Sequence, residues 1–588
     1  MKHFVPLLFL AIFISLLASC QKKDVAPAPI TSTGSSSKLD TIYSPVDPSV
    51  AASVGFFLDD WQPRQFVVPA NTLGTITTAT PTDTINIDLN KVVAKIPKYV
   101  FGNNANQWMG PIITQSDLMG YLKDLNPNIL RFPGGSISDV YFWNSPVNAP
   151  PADVATTFYN NDLTSKAVAS TDYWYGTNTG NWTITLDNYY TLLQQTNCTG
   201  MITINYGYAR YGTGPTPVQT AAHLAAQWVR YDKGKTKFWE IGNENDGTWE
   251  PGYKIKLSDN HDGQPEIITG ALYGQHFKIF ADSMRKAAQQ VGTTIKIGAQ
   301  VIGNDAANSG ITDKSWNSSL FSTLGNSADF FIVHNYYAPY HQNSTASVVL
   351  KSALTETKAI SAYVSKSATQ NGVQMKPIAM TEWNIETEGS KQKVSAVAGM
   401  HAVLVLGEAL SNNFGQAARW DLANAWDNGN DHGLFNNSAG TTEPGASAWN
   451  PRPSFFYLYY LQKYLGDRLV TTNVSPSTSD LIAYSSTFTS GETGVVIVNT
   501  GNTSHTTLLN INHFNPGAKY YWYELTPGTD NGEFSGKVLI NSTNPTGNTG
   551  GPLNYSSIKA FWAPITSRSF EVSVPARSVL YVVVNKKS

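Results

Sequence analysis

Charge is scarce in this chain of 588 residues: Asp, Glu, Lys and Arg together make up 14 %, against roughly 25 % in an average globular protein. The formal net charge is −2 and no basic run occurs, so no nucleic-acid partner is expected, since phosphate binding needs a concentrated positive footprint. Cysteine is scarcer still, with only Cys20 and Cys198, too few for a disulfide framework. No second His or Cys stands at ligand spacing from His334, which argues against a zinc-type site. Asp427 to Gly433 is acidic but lacks the spacing and the closing Glu of an EF-hand, and reads as a polar loop. No metal and no cofactor are therefore expected. The apolar run from Phe4 to Leu17 is short for a membrane span and about the length of a signal-peptide core.

What the chain does have is aromatic side chains, at 12 %, including 15 Trp and 29 Tyr. With abundant Asn, Ser and Thr, this composition is common in secreted proteins that handle neutral polymers such as sugars. The apolar run ends in Leu17-Ala18-Ser19-Cys20, which looks like a bacterial lipobox. On that reading residues 1–20 are a lipoprotein signal peptide and Cys20 carries the lipid. Residues 21–45, rich in Pro, Ala, Ser and Lys, are a flexible tether, and the protein is anchored in the bacterial cell envelope, at the outer membrane or cell surface. Cys198 is then left without a partner, as a small near-core residue.

The folded part alternates short apolar strands with amphipathic helices, the pattern of parallel βαβ units. Strand patterns appear at 99–106, 128–132, 200–206, 237–241, 294–300, 330–337, 378–384 and 417–422. Helix patterns lie at 116–125, 186–195, 220–231, 271–291, 347–369 and 393–411. Eight such strands predict a (β/α)8 TIM barrel over 96–455, with its chemistry at the C-terminal strand ends. Residues 144–180 read as a long loop or small insertion over the mouth. Residues 46–95 contain an alternating strand at 83–89 and are expected to join a β domain. From 456 to 588 helical signals fade and short strands recur, the signature of an antiparallel β-sandwich.

Two carboxylates fall at strand exits: Glu244 in Trp239-Glu240-Ile241-Gly242-Asn243-Glu244, and Glu382 in Thr381-Glu382-Trp383-Asn384. A single Glu in such a place is commonplace; two, each with Trp nearby, point to paired acid/base and nucleophile chemistry. Arg131, in Arg131-Phe132-Pro133-Gly134-Gly135, ends another strand and is suited to neutralising a carboxylate in the barrel mouth. A Tyr at the end of the 330–337 strand, Tyr336 or Tyr337, is suited to bonding the nucleophile.

These motifs and their order resemble the retaining glycoside hydrolases of the large (β/α)8 clan A, most of all family 51, the α-L-arabinofuranosidases and endoglucanases. The resemblance covers about residues 85–588 and implies Glu244 as acid/base, Glu382 as nucleophile, and Asn243 as partner of the sugar 2-hydroxyl. Arg131 and Tyr336 or Tyr337 would orient Glu382. It departs at two places: Asn106 stands where the family has an acidic residue that grips arabinose, and Ser136 where it has Asn. Trp108, Trp143, Trp249, Trp420 and Trp426 are candidate sugar platforms, and Trp383 is a further substrate-binding candidate beside Glu382. The implied function is retaining hydrolysis of plant-type or related polysaccharides and oligosaccharides, arabinofuranosidase-like or endo-β-glucanase/xylanase-like. The alternative is a surface glycan-binding lipoprotein without turnover. A carboxyl separation of roughly 5–5.5 Å is expected for the retaining reading.

Overall fold

The computed structural model describes residues 45–305, 310–389, 391–437 and 443–587. Cys20 and nearly all of the 21–45 tether lie outside the described residues. Eight parallel strands close into a barrel in chain order: β1 Gly102–Asn104, β2 Ile129–Phe132, β3 Thr199–Ile204, β4 Thr236–Ile241, β5 Lys296–Gln300, β6 Phe330–Tyr337, β7 Ile378–Ile385 and β8 Gln416–Arg419. This is the expected TIM barrel. Successive side chains on a strand point to opposite faces, and the barrel follows that period of two except at the irregularities in pairing. Leu130, Trp239, Ile241, Val333, Tyr337, Met380 and Trp383 join the core under the helices. Ile129, Met201, Phe238, Phe330, Ile332 and Ala379 form a second cluster, inside the barrel floor.

That floor is closed from below by the N-terminal segment. The short helix Gly55–Leu58 carries Phe57, whose ring lies 5.1 Å from Phe238 and 5.8 Å from Phe330. The stretch 46–95 thus plugs the barrel as well as supplying strands Asn71–Leu73 and Asp83–Lys95 to the second sheet. Asp83–Lys95 pairs antiparallel with Arg468–Ser475 and parallel with His505–Asn512. The second sheet has 11 strands and is mostly antiparallel, with two parallel pairings contributed by the N-terminal segment. It curls onto itself: Tyr520 and Phe570 stand on strands well separated in the sheet order, yet their rings stack at 4.4 Å.

Two helices depart from the sequence reading. Ala396–Ser411, expected to be amphipathic, is buried almost all round, because barrel strands cover one side and the second sheet the other. Close approach there requires Gly407, where a Cβ would sit 2.3 Å from the Tyr484 ring. A helix apolar on every face is one enclosed on every face. The second is Pro453–Tyr464, which spans the 455/456 boundary. A further helix, Trp316–Leu324, gave no clear pattern because Asn, Ser and Thr interrupt its apolar positions. The 144–180 segment forms one small strand pair of its own, Thr157–Tyr159 with Ser165–Ala167, and its Trp174–Tyr175 pairs with Tyr141–Phe142 just before it.

Candidate active site

Above the apolar floor the barrel interior turns polar, and Arg131 on β2 is its centre. Its guanidinium is fully buried. Nε donates to Glu240 Oε2 at 2.6 Å, Nη1 to Asn104 Oδ1 at 2.9 Å and to Glu382 Oε2 at 3.1 Å, and Nη2 to Asn243 Oδ1 at 2.8 Å. A planar fork of donors can hold four acceptors in fixed directions, which an ammonium cannot. Glu240 also accepts from Thr203 Oγ1 at 2.8 Å.

Glu382 faces inward because β7 carries a bulge: pairing with β6 shifts between Met380 and Glu382. Thr381 and Glu382 therefore both reach the interior, a common use of bulges beside active sites. Tyr336 donates to Glu382 Oε1 at 2.5 Å. His334, two residues before Tyr336 on the same face of β6, has Nδ1 2.7 Å from Glu244 Oε1 and Nε2 3.0 Å from Thr381 Oγ1. Glu244 follows β4 with φ of 42°, and its Oε2 accepts the Trp249 indole N–H at 2.6 Å. One ligand-type atom from each of Glu244, His334 and Glu382 lies within 4.8 Å of the other two. That spacing would suit a cation, but the Arg131 guanidinium already brings positive charge to Glu382. The group His341, Glu386 and Glu388 has similar spacing, yet Glu386 is engaged by Lys393 and by His432, whose Nε2 is 2.8 Å away.

Burial opposes each charge here. At His334 it is outweighed by the Glu382 and Glu244 carboxylates, which hold the imidazole's proton above its ordinary range. At Glu244 burial raises the carboxyl, but the His334 hydrogen bond and charge, with the Trp249 N–H, bring it below the usual value. Glu382 stays raised by burial: His334 opposes that, the Glu244 charge adds to it, and Arg131 and Tyr336 oppose it. The three groups titrate together, with one labile proton held by the His334–Glu244 pair, whose Nδ1 and Oε1 stand 2.7 Å apart. Catalysis that spends this proton should fade on the alkaline side with an apparent pKa above the ordinary imidazole value of about 6.5. A profile of kcat/KM against pH whose alkaline limb lies below that value would contradict the sharing.

A second polar layer supports the first. Asp139, fully buried, accepts from the backbone N–H of Gly207 at 2.8 Å and of Asn243 at 3.2 Å, and from Asn245 Nδ2 at 2.7 Å. Burial pushes its carboxyl up to about 7 against those N–H donors. Burial, then the charge of Asp139, raises Glu250 well above the usual range. Glu250 Oε1 accepts from Asn243 Nδ2 at 2.9 Å and from Ser136 Oγ at 2.7 Å. Asn243 is thereby fixed between Arg131 and Glu250.

The remaining sequence candidates divide. Asn106 is buried and donates to Asp421 Oδ2 at 2.7 Å; its Oδ1 and that of Asn104 both face Gly134, where a Cβ would stand 3.0 and 3.1 Å from them. Trp420 covers the turn after β2: Gly135, at φ of 64°, lies so close that a Cβ would stand 2.6 Å from its ring. Trp108 meets Trp420 edge to face at 5.8 Å, and Trp249 sits on Glu244. Tyr337 is not at the mouth: its hydroxyl pairs with Thr357 at 2.8 Å under the helices. Trp383 is 1 % exposed and packs with Phe101, Leu406 and Leu458 around a small cavity outside the barrel. Trp143 stacks on Trp228 at 5.9 Å, also outside. Trp426 is half-buried in the loop after β8. The 427–433 loop is near the mouth, with the His432 ring 5.4 Å from that of Tyr336. Cys198 is half-buried, and burial pushes its thiol up to about 12. Sequence reading gave no role to Thr381, Glu240, Asp139 and Glu250, and weighed His334 only as a metal ligand. For His334 a signal existed, since it shares the inward face of β6 with Tyr336.

Comparison with known proteins adds a likeness over part of the chain. Residues 121–346, from the helix before β2 to beyond β6, match the family model described as alpha-L-arabinofuranosidase 1 domain. A comparison with curated proteins found no match. Among solved structures, an α-L-arabinofuranosidase of Thermotoga maritima in complex with arabinose aligns at 18 % identity and TM-score 0.58, over 86 % of this chain and all of that one. A bifunctional glucanase-xylanase from a metagenome library aligns at 14 % identity and TM-score 0.55, over 87 % of this chain and all of the other. A family 44 xyloglucanase of Paenibacillus polymyxa aligns at 12 % identity and TM-score 0.55, over 86 % of this chain and all of the other. At these identities the structures share the fold, and the family model supplies the closer likeness. Residues 121–346 are thus similar to the alpha-L-arabinofuranosidase 1 domain, and the chain shares its fold with these glycoside hydrolase structures.

Proposed function

We propose that the protein hydrolyses glycosidic bonds with retention of configuration, in plant-type polysaccharides or oligosaccharides. The observation that carries this is the Glu244–His334–Glu382 cluster, whose nearest carboxylate oxygens lie within 4.8 Å. Retaining enzymes hold the two carboxyl groups about 5–5.5 Å apart, while inverting enzymes leave about 6.5–9.5 Å for a water.

Glu382, aimed by Arg131 and Tyr336, attacks the anomeric carbon. The His334–Glu244 pair delivers its proton from Glu244 Oε2, in the state where His334 is neutral, to the departing oxygen as the glycosidic bond breaks, leaving a glycosyl ester on Glu382. Glu244 then takes a proton from water, which attacks the anomeric carbon and releases Glu382 as carboxylate. Both Glu244 oxygens accept N–H groups in the free protein. The leaving-group oxygen reaches Oε2 by displacing the Trp249 indole, which is 41 % exposed and can move aside. Asn243 keeps a second amide hydrogen beyond its bond to Glu250, suited to a sugar hydroxyl.

Substrates cut by the structural neighbours, arabinofuranosides, β-glucan, xylan and xyloglucan, are the first to test. The experiment is a hydrolysis screen with aryl glycosides and these polymers, following the anomer first released by proton NMR. Retained product is expected; an inverted first product would overturn the mechanism, and no hydrolysis of any of them would overturn the substrate class.

Export and lipidation at Cys20 are proposed on the Leu17-Ala18-Ser19-Cys20 sequence. In a bacterial host, Cys20→Ser should abolish palmitate incorporation and move the protein out of the membrane fraction. Unchanged labelling would remove the proposal.

A further inference from the structure

Two of the chain's tryptophans are more than a third exposed, Trp182 at 48 % and Trp249 at 41 %. Trp249 belongs to the acid/base side of the site. Trp182 stands in the long β2–β3 connection. The Gly110 N–H donates to the Trp182 carbonyl at 3.2 Å and the Ile184 N–H to the Gln107 carbonyl at 3.0 Å. Gln107 Nε2 donates to Thr183 Oγ1 at 2.9 Å and to the Ile184 carbonyl at 2.9 Å. These bonds seat the Trp182 loop beside the segment that carries Trp108 after β1. Trp108 in turn meets Trp420 over the Gly134-Gly135 turn. Trp174 braces Trp182 edge to face at 5.6 Å.

Two aromatic pairs, Trp108 with Trp420 and Trp182 with Trp174, are therefore carried on segments that the 107–110 and 182–184 bonds hold side by side. The two segments, 99–116 and 173–186, contain no Asp, Glu, Lys or Arg. A ligand recognised there is uncharged and offers apolar faces to aromatic rings. The C–H faces of β-linked pyranosides meet both requirements, since such a ring buries apolar area on indole while its equatorial hydroxyls stay in water.

We propose that Trp182, braced by Trp174, is a binding platform for one arm of a neutral β-linked pyranoside chain, several sugars from the cleavage point. The cleft is then an open groove for internal bonds. This deepens the hydrolase reading in one respect, the substrate, and its test is separable from turnover.

Binding of soluble mixed-linkage β-glucan, xyloglucan and arabinoxylan is measured by affinity electrophoresis on the full-length protein carrying Glu244→Gln, which removes hydrolysis from the readout. Adding Trp182→Ala should weaken binding of at least one polymer by roughly tenfold, and Trp182→Phe should restore most of it. The Trp182 side chain is exposed and its loop is held by backbone bonds, so folding is checked by an unchanged thermal transition. With Glu244 intact, Trp182→Ala should lower kcat/KM on the polymer and leave a simple aryl glycoside unaffected. Equal binding with and without Trp182 overturns the platform while leaving the hydrolase standing. Failure of the parent to bind any of the three polymers also overturns it, even if aryl glycosides are cut. Binding that depends on Trp182 in a protein that cuts nothing keeps the platform and removes the hydrolase.

Discussion

Glu382→Ala should reduce kcat by about 10⁴-fold or more, as removal of an enzyme's nucleophile does, while glycan binding changes little. Glu244→Ala should act differently. The acid/base contributes about 10²–10⁴-fold, and only where the leaving group needs a proton, so aryl glycosides with acidic phenols should form the glycosyl-enzyme almost normally. Azide separates the two roles by stereochemistry. In Glu244→Ala it enters the vacated base position and attacks the glycosyl ester, giving a glycosyl azide of retained configuration. In Glu382→Ala it attacks the substrate itself from the nucleophile side, giving the inverted azide. NMR of the two products reads the assignment directly: exchanged outcomes would exchange the roles, and near-normal turnover in Glu382→Ala would remove the mechanism. Arg131 stays paired with Glu240 when Glu382 is shortened, so the variant should remain folded.

How far such a site can be read without coordinates depends on range. Glu244 and Glu382 could be found because each ends an apolar strand, a local signal. The choice between Tyr336 and Tyr337 was also local: with His334 polar and Val333 apolar, a period of two sends Tyr336 inward and Tyr337 under the helices. The same parity places Trp383 outward beside an inward Glu382. What could not be read is what depends on distant chain. Glu240 lies within an apolar strand, and its burial makes sense only against Arg131, which arrives from β2. Asp139 and Glu250 are loop residues until the fold stacks them under Asn243. Ala396–Ser411 shows no polar face because the second sheet covers it, and Pro453–Tyr464 loses its helical pattern to the same enclosure. Phe57 looks like a residue of an irregular segment, yet it closes the barrel floor. In each case tertiary burial replaced the local pattern that sequence reading relies on.

Arg131→Met should destabilise the protein by about 3–5 kcal/mol, the usual effect of removing one partner from a buried ion pair. The loss arises from what remains. Glu240 is fully buried and would keep only the Thr203 hydroxyl at 2.8 Å, while Glu382 would lose the cation 3.1 Å from Oε2. Arg131→Lys should recover little, because one ammonium cannot span Glu240, Asn104, Asn243 and Glu382 together. The informative variant is the double substitution Arg131→Met with Glu240→Leu. Replacing both members of a buried pair by apolar groups of similar volume is commonly neutral or stabilising, so urea unfolding should show most of the lost stability restored. Activity should stay low. Arg131 is one of the groups holding the Glu382 carboxyl down against burial, so without it that carboxyl ionises at higher pH and the acid limb of kcat/KM moves upward. Stability and activity would then separate in one protein, which a purely structural arginine does not allow. Full activity in the stable double variant would show that Glu382 does not need the Arg131 cation, and would leave Arg131 a role in folding alone.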